Sequence, residues 1–241
     1  MKILLFGLLT IGSMSAFADS QKESYIAQDA FKLEFSEIEQ IRKQHFKILG
    51  NSFVGGTEKV AEHCEGVLVG KRALLTTAYC VITFDKKLVS VTNGHEQANV
   101  LATFFKSDYF KGHSADSAAR IATDLGLIIL DKDLKTEPAQ IKVTPTISYR
   151  KKKLATLVTG RAQNFYSFNV NGTGGYPGYL HSELSASDLV NGAPLFERGE
   201  NNKMTVFGFL SAARYPSVYF KGLLSDDVEF VRNKIEEYQN Q

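Results

Sequence analysis

The chain has 241 residues, 44% of them hydrophobic, which is enough to fill a sizeable core and excludes a disordered protein. Its 28 basic and 26 acidic residues nearly cancel, so the composition gives no electrostatic reason to expect a nucleic acid as partner. Two cysteines are too few for a disulfide-dense miniprotein or a four-cysteine zinc site, and no motif indicates a metal ion or a cofactor.

Residues 1–18 have the features of a cleavable signal peptide. Lys2 supplies positive charge, an apolar stretch runs from Ile3 to Ile11, and Ala16-Phe17-Ala18 is the small-x-small pattern after which signal peptidase cuts. The apolar stretch is too short for a membrane span of about 20 residues. The sequence therefore predicts a secreted or periplasmic protein, cut after Ala18, with no membrane span in the mature chain. An uncleaved membrane anchor is the alternative.

Residues 19–52 are polar and are interpreted as an N-terminal arm or pro-segment. Within them Phe35, Ile38 and Ile41, with His45 as a weaker fourth, recur at spacings of three and four, which predicts one helical stripe. The sequence leaves open whether this arm is removed from the mature protein.

Beyond the arm, short apolar runs predict strands, and turn signals such as Asn93-Gly94 and Asn171-Gly172 separate some of them. The predicted strands are residues 66–69, 73–77, 88–92, 99–105, 125–130, 154–159, 205–211 and 217–220. Many short strands with few helices between them favour antiparallel barrels or a sandwich. The basic run from Arg150 to Lys153 is interpreted as a solvated hinge between two barrels.

The last predicted element is a helix over about residues 225–239. Ser225 is a suitable cap, and the carboxylates of Asp226 and Asp227 suit the positive end of the helix dipole. The apolar residues that share one face of this helix are Val228, Val231, Ile235 and Tyr238. We expect that face to pack on the β core.

Five sequence blocks occur in the order in which one protein family has them. The blocks are Cys64–Val69 with Ala73–Cys80, Thr123–Leu130, Asn191–Leu195, Gly208–Ala213 and Ser217–Phe220. They resemble the disulfide-closed segment ending in T-A-A-H, the strand D-I-A-L-I-x-L, the nucleophile loop G-D-S-G-G-P-L, the cleft strand G-I-V-S-W-G and the segment G-V-Y-T of trypsin-like (chymotrypsin-fold) serine proteases.

This resemblance implies an all-β fold of two six-stranded antiparallel β-barrels with a C-terminal α-helix. The implied boundaries are a domain over residues 53–241, with the first barrel at about 53–145, the second at about 154–224 and the helix at about 225–239. It also implies a disulfide between Cys64 and Cys80, which lie sixteen residues apart as in the family. Export to an oxidising compartment favours the same pairing.

The catalytic triad of the family is incomplete in this sequence. Tyr79 stands where the family has its catalytic His, and Asn191 stands where it has the nucleophilic Ser, while Asp124 keeps the family identity. A phenol with a pKa of about 10 is a poor proton acceptor at neutral pH, and an amide cannot form an acyl-enzyme. We expect the Tyr79 hydroxyl to donate a hydrogen bond to Asp124 and so satisfy a buried carboxylate.

The neighbours of Asn191 also depart from the family. Leu189 replaces the Gly whose N–H helps to form the oxyanion hole, and Val190 replaces the Asp that pairs with a freed N-terminal amine. The resemblance places Ser185 at the base of the specificity pocket, and it places Ser211, Ala213 and Ser217 along the substrate cleft. Ser217 replaces a Gly, so its side chain narrows the pocket.

The sequence therefore predicts an exported, proteolytically inactive homologue of trypsin-like serine proteases that binds a peptide or protein and whose oligomeric state is open. The first alternative is a secreted serine-type endopeptidase with a non-standard catalytic constellation. That enzyme would need a relocated pair from the remaining serines and imidazoles, which include Ser185, Ser187, His63, His95, His113 and His181. A second alternative is a structural component of an extracellular assembly.

Overall fold

The computed structural model of the chain describes residues 33–54, 57–84, 88–111, 117–144, 152–160, 163–172, 176–184, 189–199, 203–214 and 217–239, and the structural statements below concern these residues. The predicted signal peptide, the cut after Ala18 and the pocket residue Ser185 lie outside the described residues. Within the described ranges, no helix combines the length and the apolar character that crossing a membrane requires.

Six strands form the first barrel. They are β1 (His45–Val54), β2 (Thr57–Gly70), β3 (Ala73–Thr76), β4 (Leu88–Thr92), β5 (Gln97–Phe105) and β6 (Gly126–Leu130). The strands pair in the closed order β1-β2-β3-β6-β5-β4, and every pairing is antiparallel. Side chains alternate across the wall, so Phe46 and Ile48 of β1 are fully buried inside the barrel while Lys47 faces outward to pair with Glu62.

The second barrel begins after a short strand β7 (Gln140–Ile141). Its six strands are β8 (Lys152–Thr159), β9 (Asn164–Gly172), β10 (Tyr179–Glu183), β11 (Pro194–Arg198), β12 (Met204–Arg214) and β13 (Ser217–Gly222). They follow the order β11-β8-β9-β10-β13-β12, and the pairing of β11 with β12 closes the ring. Strand β7 adds to the start of β12 in parallel. The predicted fold of two six-stranded antiparallel barrels is confirmed.

In the described part of the chain five helices accompany the barrels: α1 (Phe35–Gln44), α2 (Ala78–Phe84), α3 (Asp108–Lys111), α4 (Ser117–Ala122) and α5 (Ser225–Gln239). Helix α5 agrees with the predicted C-terminal helix. The helical stripe predicted from Phe35, Ile38 and Ile41 is α1, but His45 ends that helix and begins β1. The first barrel therefore starts at His45, eight residues before the predicted boundary near residue 53, because the segment assigned to an arm contains the strand that closes the barrel.

Helices α1 and α5 tie the two barrels together. Helix α1 precedes the first barrel but packs on the second, where Arg198 of β11 donates two hydrogen bonds of 2.6 Å to the carboxylate of Glu37. Helix α5 follows the second barrel but packs on the first, where the Tyr238 ring meets Phe104 of β5 edge-on at 5.5 Å. The core cluster between the barrels takes side chains from both helices, including Ile41 and Val231.

Candidate functional site

The site begins at the disulfide between Cys64 in β2 and Cys80 in α2, whose Cα atoms lie 6.1 Å apart, as predicted. Helix α2 starts directly after β3 because Thr77 caps it: the Thr77 hydroxyl accepts a hydrogen bond of 3.3 Å from the Cys80 N–H. This tight strand-to-helix turn fixes the backbone of Tyr79, one residue before the disulfide.

Asp124 lies just before β6 and is only 2% exposed. Its Oδ1 accepts the backbone N–H of Tyr79 at 2.9 Å, its Oδ2 accepts the hydroxyl of Ser211 from β12, and the backbone of Ala78 also donates to it. Burial raises the pKa of Asp124 from 3.8 to about 6, although the hydrogen bond from Ser211 and the backbone donors oppose that rise. The carboxylate is thus held by both barrels.

Tyr79 contributes to this arrangement through its backbone. The hydroxyl that donates to Asp124 belongs to Ser211, and in place of the expected bond from the Tyr79 hydroxyl the Tyr79 backbone N–H donates to this carboxylate. The Tyr79 side chain is 39% exposed, so its phenol lies at the surface of the site. Nearby, burial and the charge of Asp124 raise the pKa of Tyr109 to about 12, which keeps that second phenol neutral.

The loop that carries Asn191 packs against both barrels. The Asn191 carbonyl accepts the Glu65 N–H of β2 at 2.9 Å, and the Gly192 N–H donates to the Leu210 carbonyl of β12 at 2.9 Å. Gly192 has φ +86°, and a Cβ there would collide with the Glu65 carbonyl oxygen, so this position requires glycine. Val190 is held by the Thr159 hydroxyl, which accepts its N–H at 3.0 Å.

These contacts bring together the three positions that the family resemblance assigns to the triad. The Asn191 carbonyl oxygen lies 3.7 Å from Sγ of Cys80, and Cys80 directly follows Tyr79 in the chain. Its neighbour Gly192 bonds to Leu210, which precedes the Ser211 that binds Asp124. The structure therefore places Tyr79, Asp124 and Asn191 around one site at the junction of the barrels. Among the described residues, no group of three His, Cys, Asp or Glu side chains is positioned to hold a metal ion.

The cleft residues predicted from sequence lie on β12 and β13. Residues Ser211–Arg214 continue β12 beyond Phe209, the last residue of β12 that pairs with β11. On its other side this stretch pairs with β13. Over the described residues, the edge of β12 from Ser211 onward therefore carries no neighbouring strand. Ala213 lies in this open stretch, and Ser217 faces Arg214 across the β12–β13 pair.

The structure shows a side-chain partner of Ser217 that no sequence motif indicated. The Oγ atom of Ser217 lies 3.4 Å from Nε2 of His181, and the His181 ring is tilted against that of Tyr219 at 5.6 Å. The alternation of β10 could have placed Tyr179, His181 and Glu183 on one face, but β10 was not among the predicted strands.

Solved structures with the same architecture include several proteases. A Glu endopeptidase is 13% identical, with a TM-score of 0.58 over 87% of this chain and 98% of the other. The protease Anisep from Arthrobacter nicotinovorans is 11% identical, with a TM-score of 0.56 over 80% and 94%. The Drosophila Grass clip serine protease of the Toll pathway is 16% identical, with a TM-score of 0.56 over 87% and 74%.

No protein-family model and no curated protein sequence matches the chain. At identities of 11 to 16%, the likeness to solved structures concerns the fold. The chain therefore has the two-barrel fold of trypsin-like serine proteases, and the identities of its own site residues decide what that fold can do here.

Proposed function

We propose that this chain is an exported homologue of trypsin-like serine proteases that does not cleave peptide bonds and acts by binding a peptide or protein. The observation that carries the proposal is the environment of Asp124. Its carboxylate accepts hydrogen bonds from Ser211 and from the backbone of Tyr79, the residue that stands where the family has the imidazole bonded to this carboxylate. Asn191 occupies the position of the nucleophile.

The chemistry of these side chains supports inactivity. Peptide hydrolysis on this fold needs a hydroxyl nucleophile and a base that takes its proton and returns it to the leaving amine. Tyr79 offers a phenol and Asn191 an amide, and neither performs those steps at neutral pH. Loss of the Ser or the His alone lowers turnover on the order of 10⁶-fold in a measured triad, so loss of both leaves no useful rate.

The open edge of β12 supports binding. An extended peptide can add to a strand edge through backbone hydrogen bonds, while its side chains contact the flanking surface. Arg214 and Ser217 face each other at the β12–β13 hairpin, and alternate residues of an antiparallel strand direct their backbone groups to opposite sides. We expect Ala213 to offer its N–H and carbonyl to the open edge.

Export is supported by two features of the chain. The disulfide between Cys64 and Cys80 belongs to an oxidising compartment, and the Ala16-Phe17-Ala18 pattern provides a cleavage site for signal peptidase. The N-terminal residue of the protein recovered from the exported fraction tests this part, and we expect Asp19.

Two measurements test the function. A fluorophosphonate probe, which labels activated serines, should leave the folded protein unlabelled, and trypsin serves as the positive control.

A library of random decapeptides displayed on phage should yield peptides that bind the protein, and the affinities of their synthetic versions are measured by calorimetry. Ala213→Pro removes one N–H from the open edge and should weaken those binders at least tenfold. Methylating single backbone amides of the peptide tests the same edge without altering the protein. Serine labelling, or binders unaffected by both changes, would count against the proposal.

The alternative of a serine-type endopeptidase has one observation in its favour, the 3.4 Å contact between Ser217 Oγ and His181 Nε2. The same labelling experiment decides it. A fluorophosphonate adduct on Ser217, lost in His181→Gln, would support the enzyme.

A further inference from the structure

We propose that His181, Ser217 and Arg214 form a carboxylate-binding subsite beside the open edge of β12, so that the bound peptide carries an acidic group. This proposal rests on the peptide-binding function proposed above and names the chemistry of the ligand. The subsite is defined by these three residues, one on each of the neighbouring strands β10, β13 and β12.

The strand pairing places the three side chains on one outer face. In β13, Val218 and Phe220 point into the core of the second barrel, so the alternating residues Ser217 and Tyr219 point outward. The pairings of Ser217 with Arg214 and of Tyr219 with His181 keep these partners on the same face. His181 and Ser217 are partly buried and Arg214 is exposed, so a ligand on this face can contact all three side chains.

Aromatic contacts hold the imidazole in place. The rings of Tyr219 and Tyr179 are stacked with centroids 5.8 Å apart, and the His181 ring lies against Tyr219 on the same strand pair. Helix α4 packs against both strands, β10 and β13. A ring held by such neighbours loses little rotational freedom when it binds a ligand, so its hydrogen bond is available at low entropic cost.

The polar atoms of the subsite suit an anion with two oxygens. His181 Nε2 and Ser217 Oγ are 3.4 Å apart, close enough to donate to the two oxygens of one carboxylate. Arg214 is exposed, and its guanidinium makes no hydrogen bond or ion pair with another described residue. A guanidinium offers planar, two-pronged donors that match a carboxylate.

One neighbour opposes the anion. Glu183 pairs with Ser217 across the β10–β13 ladder and is exposed, so its charge repels a bound carboxylate. Solvent screening limits this repulsion at an exposed position. We therefore expect Glu183→Gln to strengthen the binding of an acidic peptide a few-fold.

The experiment compares matched peptides on the full chain. Each library binder is synthesised with Glu, Gln and Ala at every position, and each version is made with both a free C-terminal carboxylate and an amide. We expect one Glu-to-Gln change, or the change from acid to amide, to weaken binding about tenfold or more. The first result shows that the subsite binds an acidic side chain of the peptide, and the second shows that it binds the C-terminal carboxylate of the peptide.

The protein variants locate the effect. His181→Gln, Ser217→Ala and Arg214→Gln should each reduce the ratio of the Glu and Gln affinities, while His95→Gln, at an exposed turn between β4 and β5, should leave it unchanged. Equal affinity for acidic and neutral peptides in the unaltered protein overturns the subsite while the peptide-binding function stands. If the ratio of the Glu and Gln affinities is unchanged in all three variants, the proposed subsite is also overturned.

The absence of any library binder would remove the proposed function but not the test of the subsite. Titration with N-acetylglutamate amide, followed by the NMR signals of the His181 ring, should shift those signals, and N-acetylglutamine amide should not. Identical responses to the two compounds would overturn the subsite by itself.

Discussion

The imidazole of His45 and the carboxylate of Glu65 form a fully buried pair, with Nε2 and Oε2 3.3 Å apart. Both residues belong to the first barrel, yet the partners of the pair lie in the second. Glu65 Oε1 accepts the Gly160 N–H at 2.7 Å, and His45 Nδ1 lies 3.3 Å from Gln163 Nε2. Since the Glu65 N–H also holds the Asn191 carbonyl, this pair lies directly beneath the candidate site.

Glu65→Ala should lower the free energy of unfolding by about 3 kcal/mol or more. The change leaves the buried Gly160 N–H without its acceptor and opens a cavity beside the buried imidazole of His45, and both effects are costly. Glu65→Gln should cost less because its amide still accepts from Gly160. Urea unfolding measures both. Glu137→Ala is the control, since Glu137 is 88% exposed and its 3.3 Å pair with Lys71 contributes little. A loss no larger than that of the control would show that the pair does not stabilise the fold.

Asp124 should make the protein less stable as the pH rises from about 4 to 6. Its pKa is about 6 in the folded chain against an ordinary value of 3.8, so the folded state binds the proton more tightly in this range. Stability therefore falls until the folded carboxyl has ionised, by on the order of 3 kcal/mol.

The comparison with Asp124→Asn isolates this effect. The amide stays neutral and can still accept the Tyr79 N–H and donate to the Ser211 oxygen. Other carboxyls, such as that of Glu37, make the protein less stable as the pH falls. Burial raises the pKa of Glu37, but the hydrogen bonds from Arg198 and the Glu34 backbone outweigh burial and lower it. Those contributions are common to both proteins. Urea midpoints measured between pH 4 and 7 should separate as the pH rises, with the variant the more stable. Parallel curves would mean that Asp124 ionises normally.

Gly192→Ala should disrupt the loop that carries Asn191. The added Cβ would meet the Glu65 carbonyl oxygen and the Thr76 hydroxyl, in addition to the strain of φ +86°. Gly94→Ala is a matched control, because Gly94 has φ +88° and nothing lies within 4 Å of its added Cβ. The control should cost about 1 kcal/mol from backbone strain alone, and Gly192→Ala should cost clearly more. Equal losses in urea unfolding would show that the loop yields to the clash.

The sequence predicted the strands that consist mostly of apolar residues and missed those that mix polar with apolar ones. Strand β6 is a continuous apolar run buried throughout, and it was found. Strand β9 alternates Phe168 and Val170 with Asn169, and its Asn171-Gly172 end was interpreted as a turn. That end instead pairs with β8 and β10, because tertiary pairing outweighs the local turn preference of Asn-Gly.

The family resemblance named candidate positions for the site but not their contacts. Tyr79, Asp124 and Asn191 were named from short motifs, and the fold brings all three together. The role of Ser211 as the hydroxyl partner of Asp124, and that of Glu65 beneath Asn191, depend on contacts between residues 87 and 126 positions apart in sequence. Pairings at such separations leave no periodicity in a single sequence, so the side-chain network required the structure.

Helix α1 should be indispensable to the fold, which separates it from a removable pro-segment. A chain that begins at Leu33 is the reference, and one that begins at His45 lacks the helix, its pair between Glu37 and Arg198, and the fully buried Ile41. Loss of that side chain alone should cost about 3 kcal/mol in Ile41→Ala. Phe35→Ala on the same helix is the control, because Phe35 is 77% exposed and should change stability by less than about 0.5 kcal/mol. If the chain from His45 unfolds at the same urea concentration as the reference, α1 is dispensable and the residues before β1 fit a removable pro-segment.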